Sequence, residues 1–325
     1  MNVFFIFIVF IISFLLVLWA GRVLPKTING ISRILHLSEF ITAFLLLSFA
    51  TSVPELFIGI FSAVQGIPLL SFGNIMGANL VGISLVIGLS VVIAGSVKAD
   101  GKISSQNFWF VSFIAILPIL LAVDGLISRG DGLLLLVIFG LYLVKIFNDK
   151  EYFHKEMDGT EHTGMRSFSR IVHHASRFLF AIFVLLAGSF AFIWSAVQII
   201  EEYFEANFIL FGIVFVALGT ALPELVFGIR ATRQGHGNAM LGNAVGSIAF
   251  NAAAVVGIVS IIHPIVVNFS VNLILISVFL VVSLILFHFF VYTRGRINRK
   301  EGFVLLLLYG IFLAIMLSQC VECLV

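Results

Sequence analysis

Charged residues are scarce in this sequence of 325 amino acids. Asp, Glu, Lys and Arg together make up 10% of the chain, whereas 61% of the residues are hydrophobic. Soluble domains carry about 25% charged residues, so this composition excludes a soluble globular protein and predicts a polytopic membrane protein. The net charge of +2 decides little, because in a membrane protein the placement of charges matters more than their sum.

Cysteine is nearly absent as well. The sequence has two, Cys320 and Cys323, close to its last residue, and we interpret them as part of a tail near the bilayer surface rather than as a disulfide or a metal site. The first residues also lack the basic segment that precedes the apolar run of a cleaved signal peptide. We therefore predict that residues 3–20 remain in the protein as a first transmembrane helix.

Long runs of apolar residues make up most of the sequence. A helix needs about 20 apolar residues to cross the hydrocarbon core of a bilayer, and by this measure we predict ten spans. They lie near residues 3–20, 38–64, 70–97, 105–123, 131–148, 178–199, 207–232, 237–263, 270–292 and 302–319.

The distribution of basic residues supports this count and gives an orientation. With the N-terminus outside, every one of the 18 Lys and Arg residues except Arg129 falls on the inner side, in an inner loop or at the inner end of a span. The positive-inside rule then predicts that both termini lie outside and that the loop 149–177 is cytoplasmic. Although this loop is rich in His and acidic residues, their spacing matches no metal motif, so we interpret it as a linker.

One short motif occurs twice. Residues 51–56 read Thr-Ser-Val-Pro-Glu-Leu, and residues 220–225 read Thr-Ala-Leu-Pro-Glu-Leu. The same offset of 169 positions aligns Gly73-Asn74 with Gly242-Asn243. Because five spans per half is an odd number, the second half must be inverted relative to the first. Inverted repeats with broken helices at the midplane are typical of secondary transporters, whose binding site lies between the repeats.

We therefore predict an all-α integral membrane fold of ten transmembrane helices. It consists of two inverted five-helix repeats, residues 1–148 and 178–325, joined by the cytoplasmic linker loop 149–177. The second and seventh helices are predicted to be broken and to carry an ion site, because each places a proline beside a glutamate within an apolar run. In hydrocarbon an ionised Glu is expensive unless it meets a partner.

The two prolines point to backbone ligands. Pro54 and Pro223 cannot donate a backbone hydrogen bond, which frees the carbonyls of Ala50 and Gly219, four residues earlier. Within a membrane a freed carbonyl must be satisfied by protein, water or an ion.

The predicted ligands are all oxygen atoms. Glu55 and Glu224 bring up to four carboxylate oxygens, and no Cys or His joins them. Such a set suits a hard cation, since Ca²⁺ takes six to eight oxygens, whereas metals that prefer sulfur are disfavoured. The full set of side-chain candidates is Thr51, Ser52, Glu55, Thr220, Glu224, Ser247 and Asn251.

Asn74 and Asn243 are predicted to support the site together with the two prolines. They either pack closely beside their neighbouring glycines or hydrogen-bond the backbone freed in the opposing broken helix. The sequence leaves these two alternatives open.

These residues resemble the two α-repeats of the calcium/cation antiporters, the sodium/calcium exchanger superfamily in its prokaryotic form. The resemblance lies in Thr-Ser-Val-Pro-Glu-Leu with Gly-Asn-Ile-Met-Gly-Ala-Asn, and in Gly-Thr-Ala-Leu-Pro-Glu-Leu with Gly-Asn-Ala-Val-Gly-Ser-Ile. It implies four ion sites between the second, third, seventh and eighth helices, and alternating access by sliding of the first and sixth. It further implies that Glu55 and Glu224 are the central calcium ligands. The hydroxyl or carbonyl ligands that it implies are Thr51, Ser52, Thr220 and Ser247.

Four positions depart from the family pattern. The family usually has Ser where this chain has Ala78 and Ala221, Asn or Asp in place of Gly82, and Asp in place of Asn251. The two carboxylates that remain would neutralise one Ca²⁺ in a low-dielectric site. The peripheral sites, which hold Na⁺ in sodium-coupled relatives, lose oxygens.

Several hypotheses follow from this set of residues. The leading one is a secondary antiporter that exchanges Ca²⁺ for Na⁺. Protons are the alternative coupling ion, because burial disfavours the ionised form of a carboxylate. Further alternatives are a same-fold antiporter for Na⁺, K⁺, Mg²⁺ or Mn²⁺, and a non-transporting ion sensor. An enzyme is disfavoured, because no Ser-His or Cys-His pair faces the glutamates.

The expected partners are inorganic cations and the lipid bilayer. We expect no cofactor beyond the transported cations and no nucleic acid. The predicted location is a prokaryotic plasma membrane, and the oligomeric state stays open, a monomer being compatible with the sequence.

Overall fold

A computed structural model describes residues 3–35, 39–98, 103–148, 164–203, 221–267 and 271–322. Almost all of them are helical, because a helix satisfies its backbone polar groups internally where no water is available. The helices are α1 (Val3–Leu35), α2 (39–51), α3 (Val53–Val64), α4 (Pro68–Ala94), α5 (Ile103–Leu121), α6 (Arg129–Asn148), α7 (Gly164–Tyr203), α8 (Leu222–Arg233), α9 (Gly237–Ile262), α10 (Val271–Arg294) and α11 (Arg299–Glu322).

Among the described residues, five helices are long and apolar enough to cross a membrane. These are α1, α4, α7, α9 and α10, and the bent pair α2 and α3 forms a sixth candidate span. Each of the ten predicted spans coincides with helix in the structure, although for the seventh only its second part, α8, lies within the described residues.

Two helices are longer than predicted. Helix α1 continues to Leu35, through Pro25, and α7 begins at Gly164, inside the segment predicted to be a linker loop. The prediction of a loop is therefore wrong for residues 164–177, while residues 149–163 lie outside the described part of the chain. A span estimate counts apolar residues only, whereas a helix continues into polar surroundings as long as its backbone bonds and propensity favour it.

Closely packed glycines relate the two halves. Gly59 in α3 contacts Val255 and Val259 of α9. Gly228, its counterpart in α8 at the offset of 169 positions, contacts Val86 and Ser90 of α4, which are the counterparts of those two valine positions. A Cβ atom on Gly59 would lie 2.9 Å from Val259, and one on Gly228 would lie 2.7 Å from Ser90. Small residues allow such close helix crossings in membranes, and here they recur at matching positions of both halves.

Two further glycine pairs follow the same rule. A Cβ on Gly88 in α4 would lie 3.0 Å from the carbonyl oxygen of Gly302 in α11. Correspondingly, a Cβ on Gly257 in α9 would lie 3.0 Å from the carbonyl oxygen of Gly132 in α6. In each half, the helix that follows the proline-containing span packs against the last helix of the other half: α4 packs against α11, and α9 packs against α6.

Two short antiparallel ribbons, which are not among the predicted elements, also join the halves. Strand β1 (Ser96–Lys98), which follows α4, pairs with β4 (Arg296–Asn298), which precedes α11. Strand β2 (Leu126–Ile127), which precedes α6, pairs with β3 (Ile265–Val266), which follows α9. At the offset of 169 positions β1 corresponds to β3, and β2 and β4 each precede the last helix of their half. The two ribbons therefore correspond to each other, and each joins a loop of one half to a different loop of the other.

Helices α1 and α7 form a pair that packs along most of its length. The ring of Phe10 stacks on that of Phe192 at 4.6 Å, and Trp19 meets Phe180 edge to face at 5.9 Å. In contrast, α9 lies at the centre of the protein, with every residue of 239–257 buried. A helix that is buried on all sides occupies the core of a bundle, and α9 forms one wall of the site described next.

Candidate cation-binding site

The second span is broken at Ser52. Helices α2 and α3 meet at a bend of 47°, and Ser52 between them has φ −89° and ψ 4°. Pro54 is the second residue of α3 and has no N–H, so the carbonyl of Ala50 lacks the donor that a continuous helix would supply. The break thus leaves polar backbone inside a span, as the sequence predicts.

The seventh span repeats this geometry in the part that the structure describes. Ala221, the residue that matches Ser52, has φ −82° and ψ −4°, and Pro223 is the second residue of α8. The predicted ligands Thr220 and the carbonyl of Gly219 lie outside the described residues. The second half therefore contributes to the site, as far as it is described, through α8 and α9.

The two glutamates lie on opposite repeats and face one cavity. Glu55 and Glu224 are buried, with 2% and 8% of their side chains exposed. Each is in the first turn of its helix, where the positive end of the helix dipole stabilises a negative charge. They interact electrostatically across a cavity of about 20 Å³, enough for one water-sized occupant. No Lys or Arg is found among the described residues around it, so no cationic side chain there balances the two carboxylates.

Helices α4 and α9 form the other walls of the cavity, and the regular α-helical geometry of both is interrupted beside it. Each contains a π turn, Gly82–Val86 in α4 and Phe250–Val255 in α9. Such turns place one more residue in the helical repeat and occur frequently at functional sites. The residues that line the cavity are Glu55, Ala78, Asn79, Gly82, Val86, Ala221, Glu224, Ala244, Ser247, Ile248 and Asn251.

The predicted hydroxyl ligands are divided between the cavity and its margin. The hydroxyls of Thr51 and Ser247 are 3.5 Å apart, a contact at the outer limit of a hydrogen bond, and Thr51 also approaches the carboxylate of Glu224. Ser52 is fully buried at the break and its hydroxyl has no partner, but the residue does not line the cavity. The structure therefore brings Thr51 and Ser247 together with Glu224 and leaves Ser52 beside them.

Several polar atoms at the cavity have no hydrogen-bond partner. One carboxylate oxygen of Glu55, one of Glu224 and the amide oxygen of Asn251 are buried and unpartnered. Leaving a buried acceptor unsatisfied costs about 1–3 kcal/mol. A bound cation would offset that cost at all three oxygens together, and oxygen ligands are those that hard cations prefer.

The supporting asparagines lie away from the cavity. Asn74 and Asn243 are not among its lining residues, and Asn243 is almost completely buried. A freed carbonyl could accept only from an amide nitrogen, and the Nδ2 of Asn74 has no partner. Gly73 and Gly77 beside it have open space at the Cβ position, so neither alternative is borne out for Asn74.

Asn79 is a cavity residue that is not among the predicted ligands. This residue lines the cavity from α4, and neither its amide oxygen nor its amide nitrogen has a partner. The sequence does contain a signal, since residues three apart share a face of a helix and the resemblance places position 82 at the site. The resemblance points to position 82, where the family usually has Asn or Asp, and not to its neighbour one turn earlier.

Comparison with known proteins gives the same architecture. The model of the family described as "Sodium/calcium exchanger protein" matches residues 5–148 and 173–318. The sodium/calcium exchanger MaX1 of Methanosarcina acetivorans is 25% identical over 325 residues, covering 90% of this chain and 92% of its own length. CaxA of Alkalimonas amylolytica is 28% identical over 305 residues, covering 92% of this chain and 94% of its own. A structure of the sodium-calcium exchanger NCX_Mj, soaked with 10 mM Na⁺ and zero Ca²⁺, superposes with a TM-score of 0.83 at 23% identity, covering 96% of this chain and 99% of that one.

The paired carboxylates between two inverted repeats, on a scaffold of this fold, define a secondary transporter of inorganic cations rather than an enzyme. More narrowly, the chain belongs to the sodium/calcium exchanger family, since the family model matches most of its length. The predicted all-α membrane fold and the resemblance to the calcium/cation antiporters are thereby confirmed. The protein is an integral membrane cation antiporter.

Proposed function

We propose that this antiporter carries Ca²⁺ in exchange for Na⁺ or H⁺, with Ca²⁺ bound between Glu55 and Glu224. One observation carries the proposal. The two carboxylates are buried on one small cavity, each with an unpartnered oxygen, and no basic residue is among the described residues around them. Two negative charges balance one divalent cation, and charge balance matters most where the dielectric constant is low.

The coordination that Ca²⁺ requires favours the same site. It takes six to eight oxygens in a flexible arrangement. The glutamates bring up to four oxygens, Asn251 brings an amide oxygen, and Ser247 brings a hydroxyl. The carbonyl of Ala50, deprived of its helical donor by Pro54, is a further candidate at the break.

The residues of the cavity constrain the identity of the coupling ion less than that of the transported Ca²⁺. Ala78 and Gly82 on α4 and Ala221, which precedes α8, line the cavity without a side-chain oxygen. Peripheral Na⁺ would therefore depend on backbone carbonyls and water. The relative MaX1 is named a sodium/calcium exchanger, but at 25% identity this supports antiport of the same class more than the same ions.

Alternating access is proposed to proceed by sliding of α1 and α7 as one unit. The aromatic contacts between Phe10 and Phe192 and between Trp19 and Phe180 hold these helices to each other. A rigid pair that slides past the helices lining the cavity would open the cavity first to one side and then to the other. We further propose that residues 1–148 and 178–325 form the two repeats.

The orientation is proposed from the basic residues. With both termini outside and 149–163 in the cytoplasm, all Lys and Arg except Arg129 lie on the inner side. A prokaryotic plasma membrane is the proposed location. Labelling of single cysteines with a membrane-impermeant maleimide in intact cells tests this orientation: a cysteine in place of Asn2 should react and one in place of Thr160 should not, in a chain whose own two cysteines have been replaced by serine.

The test of the proposed function is ⁴⁵Ca²⁺ uptake into proteoliposomes under an outward Na⁺ gradient or an outward H⁺ gradient. Uptake driven by either gradient is expected, and the gradient that drives it identifies the coupling ion. Glu301→Gln is a matched control, because Glu301 also lies in the first turn of a helix but accepts a hydrogen bond from the backbone of Asn298, away from the cavity. This variant should transport like the wild type.

The other outcomes separate the remaining hypotheses. No Ca²⁺ uptake under either gradient, with exchange of Na⁺, K⁺, Mg²⁺ or Mn²⁺ in the same vesicles, would show a same-fold antiporter for another cation. Ca²⁺ binding without flux of any ion would contradict transport and indicate an ion sensor.

A further inference from the structure

Asn79 occupies an unusual position for a polar residue of a membrane-spanning helix. Its side chain is 1% exposed, it lines the cavity between the glutamates, and both Oδ1 and Nδ2 lack a hydrogen-bond partner. A buried amide is costly unless its groups are satisfied. In this cavity the cost is not offset by any described protein group, so it calls for a partner from outside the protein.

A purely structural role does not account for this residue. Asn79 lies inside α4 (Pro68–Ala94), far from either end, where asparagine serves neither as a helix cap nor as a turn former. Nor does its side chain bond back to its own helix, as that of Ser84 does to the carbonyl of Leu80. An apolar residue of similar size would fill the same space without leaving an amide unsatisfied.

Comparison of the two halves shows what the amide replaces. At the offset of 169 positions, α9 presents Ser247 and Asn251 to the cavity, whereas α4 presents Ala78 and Gly82 there. Asn79, for its part, corresponds to Ile248. Helix α4 thus has no side-chain oxygen at positions 78 and 82, but Asn79, which lies between them in the sequence, brings one amide to the same wall of the cavity.

We propose that Asn79 is a ligand of the transported cation, contributing Oδ1 from α4 opposite the ligands of α9. This assignment rests on the proposed function. Up to four carboxylate oxygens from Glu55 and Glu224, with the amide oxygens of Asn79 and Asn251, make six. Six is the lower limit of Ca²⁺ coordination. Nδ2 is then available to donate to an unpartnered carboxylate oxygen and so to orient it, as outer hydrogen bonds orient metal ligands.

The assignment makes Asn79 a determinant of ion selectivity. Ca²⁺ and Sr²⁺ need a large number of protein oxygens, whereas Mg²⁺ keeps several waters. Loss of one protein oxygen should therefore weaken Ca²⁺ and Sr²⁺ more than Mg²⁺. A residue that only held the helix in place would change all three affinities together.

The experiment measures equilibrium ⁴⁵Ca²⁺ binding to the purified full-length protein in detergent, with displacement by Sr²⁺, Mg²⁺ and Na⁺. Asn79→Leu keeps the size of the side chain and removes both polar atoms, while Asn79→Asp keeps an oxygen and removes the donor. Ser71→Ala is the matched control, because Ser71 is a buried residue of α4 with an unpartnered hydroxyl that does not line the cavity. Thermal unfolding of each variant without added ion checks that it is folded.

We expect Asn79→Leu to weaken Ca²⁺ binding roughly 10–100-fold and to lower the preference for Ca²⁺ over Mg²⁺. Asn79→Asp should retain Ca²⁺ binding, and Ser71→Ala should bind as the wild type does. Wild-type affinity in Asn79→Leu would overturn the assignment, as would an equal loss in a folded Asn79→Asp, which would make the donor rather than the oxygen the important group. If the wild type binds Ca²⁺ and exchanges it, such results leave the proposed function intact. If the wild type binds none of these cations, the proposed function fails, and the ligand assignment fails with it.

Discussion

The first half of the molecule lines the cavity from α3 and α4, and the second half lines it from α8 and α9. The described backbone of the two halves corresponds closely: in both, a residue with ψ near 0° precedes a helix whose second residue is proline, a glutamate lies in the first turn of that helix, and a π turn lies at the cavity. The side chains of the neighbouring helices differ. Helix α9 presents a hydroxyl and an amide, Ser247 and Asn251, whereas α4 presents the single amide of Asn79.

This difference separates two requirements of an inverted-repeat transporter. Exchange of inward-open and outward-open states needs two halves that can adopt each other's arrangement, which constrains the backbone and the close helix crossings. Ion recognition needs a sufficient number of oxygens around one point, and these can come unequally from the two halves. We therefore expect substitutions that alter the shared features to affect both halves alike, and those at the differing positions to change ion preference.

The largest effect is expected at the shared carboxylates. Glu55→Gln and Glu224→Gln should each reduce Ca²⁺ exchange in proteoliposomes to background, because a single remaining charge cannot balance a divalent ion in a low-dielectric site. Expression and monodispersity in detergent should stay unchanged. Substantial transport by either variant would show that the two halves do not share the ion equally, and transport by both would contradict the site.

The second effect concerns the glycine crossings. Gly132→Ala would place a Cβ 2.8 Å from the carbonyl oxygen of Gly257, and Gly302→Ala would place one 2.9 Å from that of Gly88. Each should lower the free energy of unfolding by about 1–3 kcal/mol, the typical cost of overpacking. Thermal unfolding in detergent measures it.

The same helices offer matched controls for this prediction. Gly140 in α6 and Gly310 in α11 have open space at the Cβ position. Replacing either by alanine should leave stability unchanged or raise it by up to about 1 kcal/mol, because alanine favours helix. A loss at the controls equal to that at Gly132 and Gly302 would mean that helix propensity, rather than the crossing, decides the effect.

The third effect tests the asymmetry itself. Gly82→Asn together with Asn251→Asp restores the family pattern at two matching positions, so the double variant should show a steeper dependence of Ca²⁺ uptake on the Na⁺ gradient. The reason is that the added oxygens strengthen peripheral cation binding. Uptake compared at several Na⁺ gradients, with the pH clamped, measures this. An unchanged dependence would mean that these two positions do not limit sodium coupling.

Much of this architecture could be predicted from the sequence, because its determinants are local. The break at Pro54 follows from a missing N–H, and the buried glutamates follow from charges within apolar runs. The ribbons β1–β4 and β2–β3 could not be predicted, since each strand has two or three residues and its partner lies more than a hundred positions away. Asn79 was missed for a similar reason. Its importance depends on which face of α4 meets the cavity, and a π turn begins three residues later.

The smallest effect is expected at the first turns of α6 and α11, each of which follows a strand of a ribbon. The two halves differ there in the hydrogen bonds that hold the start of the helix. Asp131 accepts hydrogen bonds from the backbone N–H of Ser128 at 2.8 Å and from its hydroxyl at 2.7 Å, while its own N–H donates to that hydroxyl at 3.2 Å. The matching carboxylate, Glu301, accepts from the backbone N–H of Asn298 at 2.7 Å. The first arrangement is a reciprocal cap of the kind that stabilises helix starts.

Asp131→Ala should therefore cost about 1 kcal/mol of stability, and Glu301→Ala should cost less, because fewer hydrogen bonds are lost. Thermal unfolding in detergent would show this as a decrease of about 2–4 °C for Asp131→Ala, with Ca²⁺ exchange retained in both variants. Equal decreases would mean that the two helix starts are held mainly by the ribbons that precede them. Loss of exchange in a stable Asp131→Ala protein would instead connect this end of α6, through its crossing with α9 at Gly132 and Gly257, to the cavity that α9 lines.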